Sequence, residues 1–191
     1  MEYYQTLSFD FAKGKVMSAP AFCQDIDAIH EIEVAVEKEH AANIETLRER
    51  LRMFPEGFYV VRQDLKILGY VESCLWNSEN FSTFTEIKDF SEHHNPQGRI
   101  LYVIYMAVAE GHRRKGYGSH LIERLKEYAE EKGLDKVQLV AGPGFLTGFY
   151  KKLGFKVVRK LPNFHAGFTG TLMEYKIKKC KMCKEESYLD R

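Results

Sequence analysis

The sequence predicts a mixed α+β fold: one central sheet, mostly antiparallel, flanked by helices. Three stretches carry that prediction. Ile100–Val108 is apolar at both phases of a period-2 pleat, the pattern of a central strand covered on two sides. Leu121, Ile122, Leu125, Tyr128 and Ala129 then repeat at helical spacing up to Gly133, and residues 137–141 return to strand. Residues 100–141 therefore form a strand–helix–strand unit whose strands run parallel with a right-handed crossover. Upstream, residues 58–62 and 67–75 flank the polar turn Gln63-Asp64-Leu65-Lys66 as an antiparallel hairpin.

The remaining elements follow in order. Residues 3–22 place apolar and aromatic positions on either side of Ala12-Lys13-Gly14-Lys15, which reads as two short strands around a turn. Behind Asp25, read as an N-cap, Ile26, Ile29, Ile32, Glu33 and Val36 fall at helical spacing and define a first helix to about Glu39. A second helix covers about 43–53, and Pro55-Glu56-Gly57 stops it. Residues 76–99 show no clean period and carry Asn, Ser, Pro and Gly. A connection this long is expected to be partly ordered, and its position suggests a substrate-side loop. After Gly142-Pro143-Gly144, residues 145–153 form a short helix stopped by Gly154, and 155–158 and 171–177 close the sheet. The expectation is a single domain over 1–191, with an added N-terminal segment 1–22 and a charged C-terminal tail 178–191.

Composition excludes several function classes. With 28 Lys+Arg against 27 Asp+Glu, no global field favours nucleic acid or an anionic membrane, so any basic site is local. The opening residues lack a basic-then-apolar signal, and no apolar run approaches the roughly 18 residues of a membrane helix; a soluble, cytoplasmic protein is expected. Cysteines 23, 74, 180 and 183 are too few and too irregular for a disulfide scaffold. Cys180-x-x-Cys183 has no second ligand pair at zinc spacing, so no metal is expected, and Cys23 and Cys74 are read as small packing hydrophobes.

One stretch carries chemistry. Arg113, Arg114 and Lys115 precede Gly116-Tyr117-Gly118 where a strand passes into a helix. Backbone N–H groups at a helix start lack internal acceptors, and glycines let anionic oxygens approach them, so a pyrophosphate is the natural guest. Gly111 and Gly116 have P-loop spacing, but Tyr117 and Gly118 replace the required Lys and hydroxyl. The dinucleotide fingerprint fails at Leu121, where its third Gly should stand.

The hexapeptide Arg113-Arg114-Lys115-Gly116-Tyr117-Gly118 resembles the acyl-coenzyme A cradle of the GNAT N-acetyltransferases. So does its setting: a strand ending Met106-Ala107-Val108 before it, a helix 119–132 behind it, and Gly148-Phe149-Tyr150-Lys151-Lys152-Leu153-Gly154-Phe155 further on. Glu110 stands where that family often has Pro, and Pro143 where it often has Asn. The resemblance covers about 25–177 and is nearest in pattern to the arylalkylamine-type enzymes, through Glu31-Ile32-Glu33, Cys74-Leu75-Trp76 and the Tyr150 segment. Those enzymes carry two strand histidines where this chain has Tyr102 and Ile104, so the arylalkylamine substrate does not carry over.

The resemblance implies the GNAT acyl-CoA N-acyltransferase fold, with parallel central strands that splay apart, and acetyl-CoA as cosubstrate. It places the thioester and pantetheine on Met106, Ala107 and Val108, and the pyrophosphate on Arg113, Arg114, Lys115, Gly116, Tyr117, Gly118 and Ser119. It makes Tyr150 the acid that protonates the departing thiolate. For the base, Glu72 comes first, because a carboxylate interrupts an otherwise apolar strand there; Glu33 and Tyr102 follow, then His93-His94. The expected acceptor is a small-molecule primary amine attacking directly. The acidic residues Glu79, Glu86, Asp89 and Glu92 suit a cationic one. A peptide or protein N-acetyltransferase and a non-catalytic acyl-CoA-binding module are the alternatives, and a homodimer is left open.

Overall fold

The computed structural model describes residues 7–10, 15–77 and 80–178. Cys180, Cys183 and Glu79 lie outside the described residues. Among the described residues eight strands form one sheet in the order β1-β2-β3-β4-β5-β6-β8-β7: β1 Leu7–Asp10, β2 Lys15–Pro20, β3 Tyr59–Gln63, β4 Lys66–Trp76, β5 Ile100–Val108, β6 Lys136–Ala141, β7 Lys156–His165 and β8 Phe168–Lys176. Every neighbouring pair is antiparallel except β5 and β6, the pair joined through a helical crossover.

Helix α1 (Ile26–Glu37) and helix α2 (Ile44–Met53) cover one face of the sheet. Ile26, Ile29 and Ile32 of α1 and Leu47 and Leu51 of α2 pack there on Val60, Tyr70 and Ala107. Asn43 caps α2, its side-chain oxygen accepting the Thr46 N–H at 2.8 Å. Asp25 caps nothing in α1: its buried carboxylate accepts the Phe22 N–H at 2.9 Å and pairs with Arg62 at 2.8 Å, pinning the α1 entry to β3.

The opposite face carries helix α4 (Tyr117–Glu131), after a single-turn α3 (Phe90–His93) in the long connection. Leu121, Ile122, Leu125 and Ala129 of α4 sit over Val61, Leu68, Val71, Leu101 and Val103. Helix α4 starts two residues before the expected 119, because Tyr117 and Gly118 are already helical. Helix α5 (Leu146–Lys152) follows β6.

The 76–99 connection is built rather than loose. Phe81, Ile87 and Phe90 bury with Trp76, Tyr102, Leu161 and Phe164 in a third cluster that closes the helix α1/α2 face beside β5. Strand β7 runs through Pro162, a residue that reads as a break, because β7 is the sheet edge, where a missing N–H costs nothing. Cys74 is fully buried as expected of a small hydrophobe, whereas Cys23 is exposed.

One irregularity in β5 shapes everything near the site. Glu72 of β4 pairs with Tyr105, but the next residue, Ser73, pairs with Val103. Ile104 is therefore an extra residue, a β-bulge, and it switches the phase of the strand. Before it, Leu101 and Val103 face α4; after it, Tyr105 and Ala107 face α1, and Met106 and Val108 face α4.

Candidate active site

Parallel pairing between β5 and β6 lasts three residues, from Ile100↔Lys136 to Tyr102↔Gln138. Beyond that point the strands separate, and β5 continues to Val108 with no strand neighbour on its β6 side among the described residues. The direction of its backbone groups follows from one bond. Ala109 N–H donates to Leu68 O at 2.9 Å, so by strand alternation Ala107 also faces β4, and the N–H groups of Met106 and Val108 face the opening. The Val108 carbonyl lies on the same open side, where it accepts from Arg113 Nε at 3.2 Å.

At the mouth of this opening the chain turns into α4. Arg114 and Gly116 both have positive φ, 59° and 86°, and Gly116 is the N-cap of the helix. The first N–H groups of α4 consequently point out of the helix with no acceptor of their own turn. Arg113, Arg114, Lys115 and Gly116 are exposed, Tyr117 is buried, and Gly118 and Ser119 are half-buried. A Cβ on Gly116 would meet nothing within 4 Å. One on Gly118 would lie 3.4 Å from Met106 Cε and 3.6 Å from Phe149 Cζ. Gly118 thus lies against β5 and α5 at a distance that would leave a Cβ in ordinary contact with Met106 and Phe149. Arg113 contributes by tying the turn to Val108 rather than by reaching outward.

A cavity of about 620 Å³ occupies the opening between the strands. Its walls are β5 from Tyr102 to Met106, the end of β6 from Leu139 to Ala141, and Tyr150 of α5. Its far end is lined by Glu33 and Glu37 of α1, Arg50 of α2, Phe84 and Phe90 of the long connection, and Phe164, His165 and Phe168 of the β7–β8 hairpin. Over that end the His40 and His165 rings meet edge to face with centroids 5.7 Å apart, and Phe84 contacts His165 at 4.6 Å. The connection after α1 and the tip of the β7–β8 hairpin are therefore bridged.

Tyr150 is 7% exposed, packs on Phe149 and Phe155, and presents a hydroxyl with no partner among the described residues. Burial pushes its phenol up, so it stays protonated. Tyr102 lines the same cavity against Trp76, their centroids 4.0 Å apart, and burial likewise raises its pKa.

The carboxylates differ in position. Glu72 is 1% exposed but does not line the cavity. Arg50 Nη1 donates to its Oε1 at 2.6 Å and its Oε2 is unpaired; burial, opposed by Arg50, pushes its carboxyl up to about 7. Glu33 does line the cavity. Its oxygens accept from Tyr70 Oη at 2.6 Å and from the Ala42 N–H at 2.8 Å. Glu37, one helical turn on, accepts from Tyr105 Oη. Glu37 and Tyr105 are absent from the expectations drawn from sequence, although the i, i+4 relation of Glu33 and Glu37 on a helix was available to suggest the former.

His94 sits outside the cavity: its Nδ1 accepts the Leu75 N–H at 3.2 Å, and burial lowers its pKa. Neither His94 nor its neighbour His93 is fully exposed. Of the loop acids, Asp89 lines the cavity, while Glu86 is spent on Ser82 and Thr83 in a local turn.

Known proteins resemble this chain in sequence or in fold. An N-alpha-acetyltransferase of Sulfurisphaera tokodaii (strain DSM 16993 / JCM 10545 / NBRC 100140 / 7) is 27% identical over 124 residues, 62% of this chain and 67% of that protein. The GNAT-like decarboxylase GphF, solved in complex with isobutyryl-CoA, superposes with a TM-score of 0.75 at 17% identity, over 84% of this chain and 99% of that one. Ard1 from Thermoplasma volcanium superposes with a TM-score of 0.67 at 20% identity, over 86% and 99%. Residues 23–155, which run from the entry of α1 through the splayed strands to the end of the Tyr150 segment, match the acetyltransferase (GNAT) family. The chain belongs to that family.

Proposed function

We propose that the protein transfers the acetyl group of acetyl-CoA to the primary amine of a small molecule by direct attack. The observation that carries this reading is the open edge of β5, where the Met106 and Val108 N–H groups point away from β4 and Met106 lines a cavity together with Tyr150. A thioester arm laid along that edge completes the strand's hydrogen bonding, and an N–H beside its carbonyl stabilises the oxygen as it gains charge. The turn at Arg114–Gly118 supplies outward N–H groups and positive charge at one end of the opening, which fits a pyrophosphate. GphF, similar in fold, holds isobutyryl-CoA.

Roles follow from placement. Tyr102 and Glu33 line the cavity, and Glu72 lies behind Arg50. Tyr102 is held protonated by burial and is no base, so Glu33 is the group that receives the ammonium proton and passes it to solvent. The freed lone pair attacks the acetyl carbon and forms the C–N bond. As the C–S bond breaks, Tyr150 gives its proton to the sulfur and regains one from the new N–H group. The balance is one amide, one thiol and one proton released.

The bridge between His40 and His165 favours a compact acceptor over a chain that must enter between the α1–α2 connection and the β7–β8 hairpin. The relative from Sulfurisphaera tokodaii, an N-alpha-acetyltransferase, favours a second reading in which the acceptor is the α-amine of a peptide. One experiment separates them. Calorimetric titration with acetyl-CoA is followed by thiol release with a panel of small primary amines and a panel of short peptides. Micromolar binding with turnover of small amines supports the first reading. Turnover of peptides alone supports the second, and absence of acetyl-CoA binding removes both.

A further inference from the structure

Resting on that reading, we propose that the acceptor is a linear diamine whose second ammonium is held by Glu37 beside Tyr105. Its first ammonium is the one acetylated.

The charges facing the cavity carry the argument. Glu33 and Glu37 project from one side of α1 into it, and both are satisfied by neutral donors only: Tyr70 and Ala42 for Glu33, Tyr105 for Glu37. Arg50, the cation facing them, is engaged by buried Glu72 at 2.6 Å. Lys88 and Asp89, the remaining charged pair on the lining, are adjacent, opposite in sign and exposed. His40, His165, Tyr102 and Tyr150 complete the titratable lining. Among the described residues neither α1 carboxylate has a cationic partner, although Glu33 is only 4% exposed. A carboxylate taken out of water without a counter-charge is costly, and tyrosine donors offset only part of that cost.

A monoamine answers the deficit once and then removes its own answer. It enters as a cation and leaves as a neutral amide. A diamine brings two positive charges and keeps one after transfer, so a carboxylate stays matched from binding to release. The aromatic walls beside Glu33 and Glu37 suit the rest of such a molecule. Phe84, Phe90, Phe164 and Phe168 give an apolar surface for a methylene chain and ring faces for an ammonium. The His40–His165 contact bridges the far end of the cavity, which suits a compact diamine better than a polypeptide.

The test compares kcat/KM for putrescine and for n-butylamine, which differ only in the distal ammonium, in the wild type and in Glu37→Gln and Glu37→Asp. The expected preference for putrescine is about tenfold to hundredfold, the range of one charge-assisted contact. Glu37→Gln should bring the ratio towards one and Glu37→Asp should restore part of it. Salt should erode the wild-type ratio. Equal kcat/KM for the two amines overturns the diamine assignment while leaving acetyl transfer to an amine intact. An unchanged ratio in a folded Glu37→Gln, checked by its thermal melt, overturns the role of Glu37. If acetyl-CoA binds and neither amine is acetylated, the small-amine reading falls together with this one.

Discussion

Replacing Glu72 by Gln should change how the stability of the protein depends on pH, and the structure sets the sign and the size. Glu72 is buried, and burial outweighs Arg50 in moving its carboxyl from 4.5 up to about 7. Between those values the folded protein holds a proton that the unfolded chain has released. Stability from this group is therefore full below pH 4.5, falls as pH rises through the window, and levels off above about 7. The separation of the two values corresponds to roughly 3 kcal/mol. The Gln variant removes the titration while keeping an oxygen for the 2.6 Å bond from Arg50. Urea unfolding of both proteins at several pH values between 4.5 and 8 should show the wild type losing about 3 kcal/mol relative to the variant. Burial lowers the pKa of His94, His112 and His120, which imposes a slope of opposite sign, but these groups are common to both proteins and cancel in the difference. A difference that stays flat across the window refutes the reasoning, because it would mean that Glu72 reaches water or is fully matched by Arg50.

Tyr150→Phe should lower kcat by about a hundredfold or more with little change in acetyl-CoA affinity, since the hydroxyl faces the cavity and packs nothing; single-turnover rates alongside calorimetry separate the two effects, and equal activity removes the acid role. Gly118→Asp puts a carboxylate in the first turn of α4, beside the expected pyrophosphate, so acetyl-CoA affinity should fall by at least about tenfold; calorimetry showing unchanged affinity means the turn holds no phosphate. Gly116→Ala meets no atom within 4 Å but must adopt φ 86°, so it should cost about 1 kcal/mol by urea denaturation, a purely conformational penalty.

Most of the sheet was legible because its strands are bounded by Gly, Pro and polar turns and its helices by a 3.6-residue apolar repeat. The hairpin, the parallel pair and the α4 crossover lie where those signals place them. What stayed hidden depends on tertiary partners. Asp25 looks like a cap and instead serves Arg62, a residue 37 positions away. The strand expected over 155–158 runs on to His165, and Pro162 is tolerated in it because β7 has no outer neighbour among the described residues. Glu33 and Glu72 read alike as acids among apolar residues, yet one lines the cavity and the other is sealed behind Arg50. Tyr105 was invisible because its direction depends on the bulge, which leaves no mark in a strand apolar at both phases.

That bulge has a consequence for how variation acts on the protein. Deleting Ile104 would bring Val103 directly before Tyr105 in a regular ladder, so Tyr105 would keep facing Glu37 and Met106 the α4 side. What the extra residue supplies is the local bend of the strand edge and a piece of the cavity wall. Ile104 should accept exchange for Val or Leu, and its deletion should leave the Tyr105–Glu37 contact in place while reshaping the wall beside the open edge of β5.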